Sequence, residues 1–260
     1  MDKSLKFILF NSTLAFVSAF IITTVIHEGG HFVSYFLFGA KPTLYHNYVQ
    51  TLAQQLSLNV KVISGLAGPF SSLFQGIIFG LLVTGLQKSN ARYLLYLWLS
   101  LLGFINFFGY LVMTPLSTAG DTGQVAELLH LGYPIRIIIA ITGFILLIFA
   151  VMKMGKYFSI FIPNESARKS KAKYVYHVMF FPIIIGSLFN TLLAFPVVSV
   201  LSIVYPATSP YVIMSSFSVI LKSTPQQSTR SEIETGIMKW LVLLVLCALI
   251  LNRLLTLGVG

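Results

Sequence analysis

Charge is what this chain has least of. Only 9% of its 260 residues are charged, against about a quarter in ordinary soluble domains. There are seven acidic residues, five histidines and a single cysteine, Cys247. A lone cysteine excludes an intrachain disulfide and any metal site built on paired thiolates. So little charge, with 56% hydrophobic residues and a mean hydropathy of +0.86, excludes a soluble globular fold. Internal repeats and low-complexity tracts are also absent. What remains is a series of long apolar runs.

A helix needs about 20 apolar residues to cross about 30 Å of hydrocarbon. Six runs qualify: 5–38, 62–86, 93–115, 134–152, 174–205 and 237–258. The fold class is therefore an all-α protein of the lipid bilayer, integral and multi-pass, with about six transmembrane helices. The segment 41–61 is too polar to span. Its imperfect alternation around Leu44, Tyr45, His46, Asn47, Tyr48 and Val49 fits a short strand or re-entrant hairpin, with the tyrosines at the interface. An edge strand there would be able to pair with an extended peptide. Asn190, Pro182 and Pro196 point to a bent fifth span, a candidate lateral gate. His130 and His177 read as interfacial side chains, and Cys247 as a small lipid- or core-facing residue.

The net charge of +10 does not indicate a nucleic-acid partner, because of where the charge lies. Lys153, Lys156, Arg168, Lys169, Lys171 and Lys173 fall in one loop, as in cytoplasmic loops held near anionic headgroups. With six simple spans and a cytoplasmic N-terminus, the tail, the 87–92 loop, the 153–173 loop and the C-terminus hold 11 of the 17 basic residues. Orientation stays open at this point. At the N-terminus, Lys3 and Lys6 precede an apolar run, and Val17-Ser18-Ala19 resembles a signal-peptidase site. The run continues past that site, which favours an uncleaved anchor. The sequon at Asn11 lies within the span and carries no information.

Against this apolar background, His27, Glu28 and His31 form an HEGGH motif. Between Leu5 and Phe38 the only other readily charged side chain is Lys6. A carboxylate near the middle of a span costs on the order of 3 kcal/mol on insertion scales, and a bound metal ion would offset that. Four residues apart on a helix, His27 and His31 project from one face and can grip one ion. Glu28 then sits where it can take a proton from an activated water. Gly29 and Gly30 weaken the helix by about 1 kcal/mol each; close packing of helices explains them better than room for a substrate.

Two histidines need a third ligand. The first span ends, the second begins and the third ends at one membrane face, because consecutive spans run antiparallel. That brings Gly65-Leu-Ala-Gly68-Pro69-Phe-Ser-Ser72 and Pro115-Leu-Ser-Thr-Ala-Gly120-Asp121-Thr-Gly123-Gln124 to the level of the histidines. Asp2, Glu165, Glu232 and Glu234 lie in the tail or in polar loops, leaving Asp121 and Glu127. Asp121, flanked by Gly120 and Gly123, is favoured over Glu127.

In these three elements the chain resembles the site-2 protease family of intramembrane zinc metalloproteases, over roughly residues 15–130. That family carries HExxH on one span, an AGPxxN-type motif on the next and NxxPxxxLDGG on a third. The first is complete here. The second reads Ala67-Gly68-Pro69-Phe70-Ser71-Ser72, with serine in the asparagine's place. In the third, Asp121-Thr122-Gly123-Gln124 matches loosely, Pro115 lies one residue further from the aspartate, and the asparagine position falls on Val112, with Asn106 two turns earlier. The resemblance implies Zn2+ held by His27, His31 and Asp121, Glu28 as catalytic base, and a membrane-protein substrate with a transmembrane segment. It also implies a catalytic core over 1–130, three spans plus the Asp121 segment, and accessory helices over 131–260. Among rivals, a di-iron oxidase of the desaturase kind needs about eight histidines. A transporter, a scaffold or an inactive family member predicts no metal and tolerance of Glu28→Gln.

Overall fold

The computed structural model describes residues 2–52, 56–86, 88–163, 168–197, 199–223 and 231–260. Helix α1 (Lys3–Leu37) opens at Asp2, whose carboxylate accepts the Ser4 amide at 3.2 Å, and runs unbroken for 35 residues. It passes straight through Val17-Ser18-Ala19, all buried. Its middle is enclosed on all sides by other helices, so it is the axis of the bundle.

Two strands follow, β1 (Pro42–Leu44) and β2 (Val49–Thr51), paired antiparallel with Thr43 opposite Gln50. The expected strand-like segment is thus a β-hairpin. Its second element of support is the far end of the chain, where Leu44 and Val259 exchange backbone hydrogen bonds of 2.7 and 2.9 Å. The hairpin histidine, His46, is buried, and its Nε2–H donates to the Ala194 carbonyl at 3.0 Å. Burial pushes its imidazole down in pKa, so it is held neutral as a structural donor.

Helices α2 (Leu58–Leu86) and α3 (Ala91–Met113) complete a three-helix core with α1. They approach closely because both present glycine at the crossing. A Cβ on Gly103 would lie 2.6 Å from the Gly76 nitrogen and 2.7 Å from the Ser72 carbonyl oxygen. This is the small-residue packing of membrane helices, where dispersion and not water exclusion drives association. The second span starts at Leu58, so Pro69 lies inside the helix instead of opening it.

A short α4 (Asp121–Leu128) precedes α5 (Tyr133–Gly155), which continues as a 3-10 turn through Phe161. Helix α6 (Arg168–Val175) carries four of the basic residues expected in a loop, and a π turn (Tyr176–Phe180) joins it to α7 (Phe181–Leu193). The π turn sits just before Pro182, whose missing amide cannot continue the regular ladder. His177 lies in that turn and is buried, its Nδ1–H donating to the Lys173 carbonyl at 2.7 Å.

The run 174–205 is not one span. Its helix ends at Leu193, shortly before Pro196, and the chain returns as α8 (Leu201–Thr208), a 3-10 stretch to Ser216 and α9 (Phe217–Lys222). Among the described residues, six helical stretches are long and apolar enough to cross a membrane: Lys3–Leu37, Leu58–Leu86, Ala91–Met113, Tyr133–Phe161, Ser170–Leu193 and Leu201–Lys222. The chain is a multi-pass integral membrane protein. Helix α10 (Lys239–Leu255) has 17 residues, about 25 Å of helix, yet it also runs from one end of the bundle to the other. At its start Asn11 of α1 holds the chain before it, donating to the carbonyls of Ile233 and Gly236 and accepting from the Met238 amide. At its finish Val259 meets the hairpin. The Asn11 side chain is therefore a structural clamp, fully buried.

The helices of the second half wrap the three-helix core. Gly186 of α7 admits the Phe16 ring, and Gly143 of α5 admits Leu111. Trp98 is the packing centre, between Phe16 and Phe158, and its indole N–H donates to Ser12 at 3.1 Å. The outer faces are apolar: Phe144, Ile145, Leu188, Leu243 and Ile250 are exposed, as lipid contact requires. Cys247 is exposed on α10 among them.

Gly103→Val forces side-chain atoms into the α2 backbone, and overpacking of this kind costs about 1–3 kcal/mol. It should lower the unfolding temperature in detergent. Gly109→Ala, where an added methyl meets nothing within 4 Å, should leave it unchanged or slightly higher. Thermal melts of the two variants beside the parent check both outcomes.

Candidate metal centre

The HEGGH motif lies in the last third of α1, with His27, Glu28 and His31 all buried. Asp121 is the first residue of α4, capped by Gly120 in extended conformation. One Asp121 oxygen, Oδ2, stands 2.9 Å from His27 Nε2 and 3.3 Å from His31 Nε2, and the two Nε2 atoms are 3.2 Å apart. The three donor atoms lie within 4.8 Å of one another, a group that can hold a metal ion. Among the described residues no other cluster of histidine, cysteine and carboxylate does so.

The outward-facing ring nitrogens decide what this group is. His31 Nδ1 meets the Ser64 carbonyl at 2.6 Å, and a carbonyl only accepts, so Nδ1 carries the hydrogen. His27 Nδ1 meets Ser72 Oγ at 3.3 Å, while the Ser72 hydroxyl donates to the Gly68 carbonyl, so Nδ1 again donates. In this tautomer a neutral imidazole at either position turns an Nε2 lone pair toward the other ring and toward Asp121. Asp121 Oδ2 is buried and accepts no hydrogen bond from the described residues. Three electron pairs that converge in an apolar setting repel one another unless a cation or a proton lies between them.

Local sequence explains each placement. Gly68 is essential for His31: a Cβ there would collide with the imidazole ring. Gly123 allows α4 to fold back on the chain before it, since a Cβ would strike the Ser117 carbonyl. Thr122 fastens α4 to α3, its hydroxyl reaching the Tyr110 carbonyl at 2.6 Å and Thr114 Oγ1 at 2.9 Å. Gly30 packs against Ala67 and Ser71 of α2, whereas Gly29 faces open space. The two motif glycines thus divide, one serving packing and one leaving room.

Glu28 sits about 60° around the helix from His31 and within electrostatic reach of His27, His31 and Asp121. Glu127 stands apart, paired with Arg136 at 2.8 Å on the exposed side of α4. His130 closes α4 at a positive φ of 52°, away from the cluster. Asn106 is buried with Oδ1 unpartnered among the described residues and lies against Tyr205 of α8. It does not join the three donors.

Two residues of the site carry no signal in the sequence. Tyr110 stacks flat on His27, ring centroids 4.9 Å apart, and lies within electrostatic reach of Asp121. It is one aromatic among several in the third span. Ser64, one residue before the glycine motif, contributes only its carbonyl, which any residue carries.

Comparison with protein-family models, with curated proteins and with solved structures yields no match.

Gly68→Ala should reduce divalent-metal retention by at least about tenfold by displacing His31, while Gly29→Ala should leave it intact; metal per purified chain measures both. Tyr110→Ala removes the ring stacked on His27, and loss of such outer partners typically weakens metal affinity by about 10–100-fold. Competition with a chelator of known affinity reads that change.

Proposed function

We propose that this protein is a zinc metalloprotease that hydrolyses a peptide bond in or near a transmembrane segment of another membrane protein. The observation that carries the reading is the convergence of two imidazole Nε2 atoms and one carboxylate oxygen at 2.9–3.3 Å, with Glu28 beside them. Donors bound at about 2.0–2.1 Å to one tetrahedral ion stand about 3.3 Å apart, so a zinc ion fits this cradle with little movement. Two histidines, a carboxylate and an adjoining glutamate are the donor set of hydrolytic zinc sites. The motif resemblance to site-2 proteases points the same way, with Ser72 in place of the usual asparagine. A zinc ion held there supplies Lewis acidity and lowers the pKa of water toward about 7.

The chain's own groups account for the remaining chemistry. Ser64 and Ser72 fix the imidazole tautomers, so the ligands need no rearrangement to bind. Glu28 accepts the proton of the water that attacks the scissile carbonyl carbon, and returns it to the amine nitrogen as the carbon–nitrogen bond breaks. The open space beside Gly29 admits a substrate backbone next to Glu28. A peptide bond inside a helix has its carbonyl and amide engaged, so the substrate reaches the site locally unwound. The protein's apolar outer faces keep the competing bulk water away from the spans that surround the core.

Glu28→Gln should abolish cleavage of a co-expressed single-span reporter, at least about a thousandfold, while metal remains bound. The assay is the appearance of the shortened reporter fragment together with metal content of the purified variant. Robust proteolysis by the variant contradicts the mechanism. Absence of both metal and cleavage in the parent chain would favour the transporter or scaffold reading.

A further inference from the structure

The basic residues and the bundle's connectivity together fix which way the centre faces. Following the chain through α1, α2, α3, α5, α6–α7, α8–α9 and α10 gives seven passages between the two ends of the bundle. The hydrogen bonds of Glu232 and Ser231 to Ser89, and of Ser4 to Glu234, gather the N-terminus, the α2–α3 turn and the start of α10 at one end. The hairpin, α4, the 194–195 turn and Val259 gather at the other, where the metal centre is.

Twelve of the basic residues in described positions lie at the first end: Lys3, Lys6, Lys88, Arg92, Lys153, Lys156, Arg168, Lys169, Lys171, Lys173, Lys222 and Lys239. Four lie at the centre's end: Lys41, Lys61, Arg136 and Arg253. Two of these four are held by the fold. Arg136 pairs with Glu127 and donates to the Leu131 carbonyl, and Arg253 donates to the carbonyls of Leu193 and Phe195. Lysine and arginine near span ends orient a membrane protein with its basic end in the cytoplasm.

We infer that His27, His31 and Asp121 sit at the non-cytoplasmic end of the membrane and that, on the proteolytic reading above, the substrate is a membrane segment cut near its outer end. Depth supports the second part. Nineteen residues separate Ala91 from Tyr110, about 29 Å of helix, and twenty-one separate Lys6 from His27, about 32 Å. Measured from the basic end, those lengths exceed half the hydrocarbon thickness, so the donors lie in the outer half of the membrane. Water and metal ions reach such a site from outside the cytoplasm. A substrate bond at the cytoplasmic boundary lies more than about 15 Å away.

Site-directed labelling tests the orientation independently of activity. In a Cys247→Ala chain, Lys41→Cys and Lys88→Cys each place one exposed thiol at opposite ends. A membrane-impermeant maleimide added to sealed cells should label Lys41→Cys in full and Lys88→Cys less than about a tenth as much, the latter rising to full labelling after permeabilisation. Preferential labelling of Lys88→Cys, or equal labelling of both before permeabilisation, overturns the inference. If the labelling holds but purified protein carries no zinc, the orientation stands and the proteolytic reading falls. A reporter with its cleavable sequence at the cytoplasmic end, if cut as fast as one with it at the outer end, overturns the substrate assignment.

Discussion

Everything in the core of this protein is arranged around three lone pairs that point at one another. His27 Nε2, His31 Nε2 and Asp121 Oδ2 meet at 2.9–3.3 Å in surroundings too apolar to screen them. In water such a cluster would relax apart. Here the ring nitrogens behind the histidines are engaged, the glycines beside them leave no other volume to occupy, and α4 is fastened by Thr122. The fold holds the donors in a conformation that only a positive charge makes favourable. That is what makes the triad able to hold a metal ion.

The three-helix core follows from the same constraint. Gly68 lets α2 approach α1 at the His31 ring, and Gly76 with Gly103 lets α3 approach α2. Without those close crossings Asp121 could not reach α1 from the end of α3. The remaining helices shield this assembly from lipid: α7 lies on α1 through Gly186, α5 on α3 through Gly143, and α10 is fixed to α1 through Asn11. The hairpin and the Leu44–Val259 pairing close the end at which the donors sit.

Much of this was legible in the sequence, for reasons that differ by element. Apolar runs mark helices because lipid leaves the backbone no other partner, and the i, i+4 spacing puts His27 and His31 on one face in any helix. Asp121 was found by following antiparallel spans and by the shortage of other carboxylates. The hairpin showed in its alternation. Hydropathy misread the run 174–205, because it stays apolar between α7 and α8 although the backbone reverses between them. It gave no role to Asn11, whose value depends on a segment more than two hundred residues away. Tyr110 and the Ser64 carbonyl were likewise invisible, since a stacking ring and a backbone oxygen have no sequence signature. The acidic alternative, Glu127, pairs with Arg136 on the exposed side of α4, while Asp121 meets the histidines.

The central claim is that these three side chains form one metal site, and zinc content per purified chain tests it most directly. The account predicts about one zinc per chain in the parent protein and loss or marked weakening in both His27→Ala and Asp121→Ala, with all three chains folded by the same thermal criterion. A folded parent chain without metal, or full zinc retention in Asp121→Ala, would contradict it.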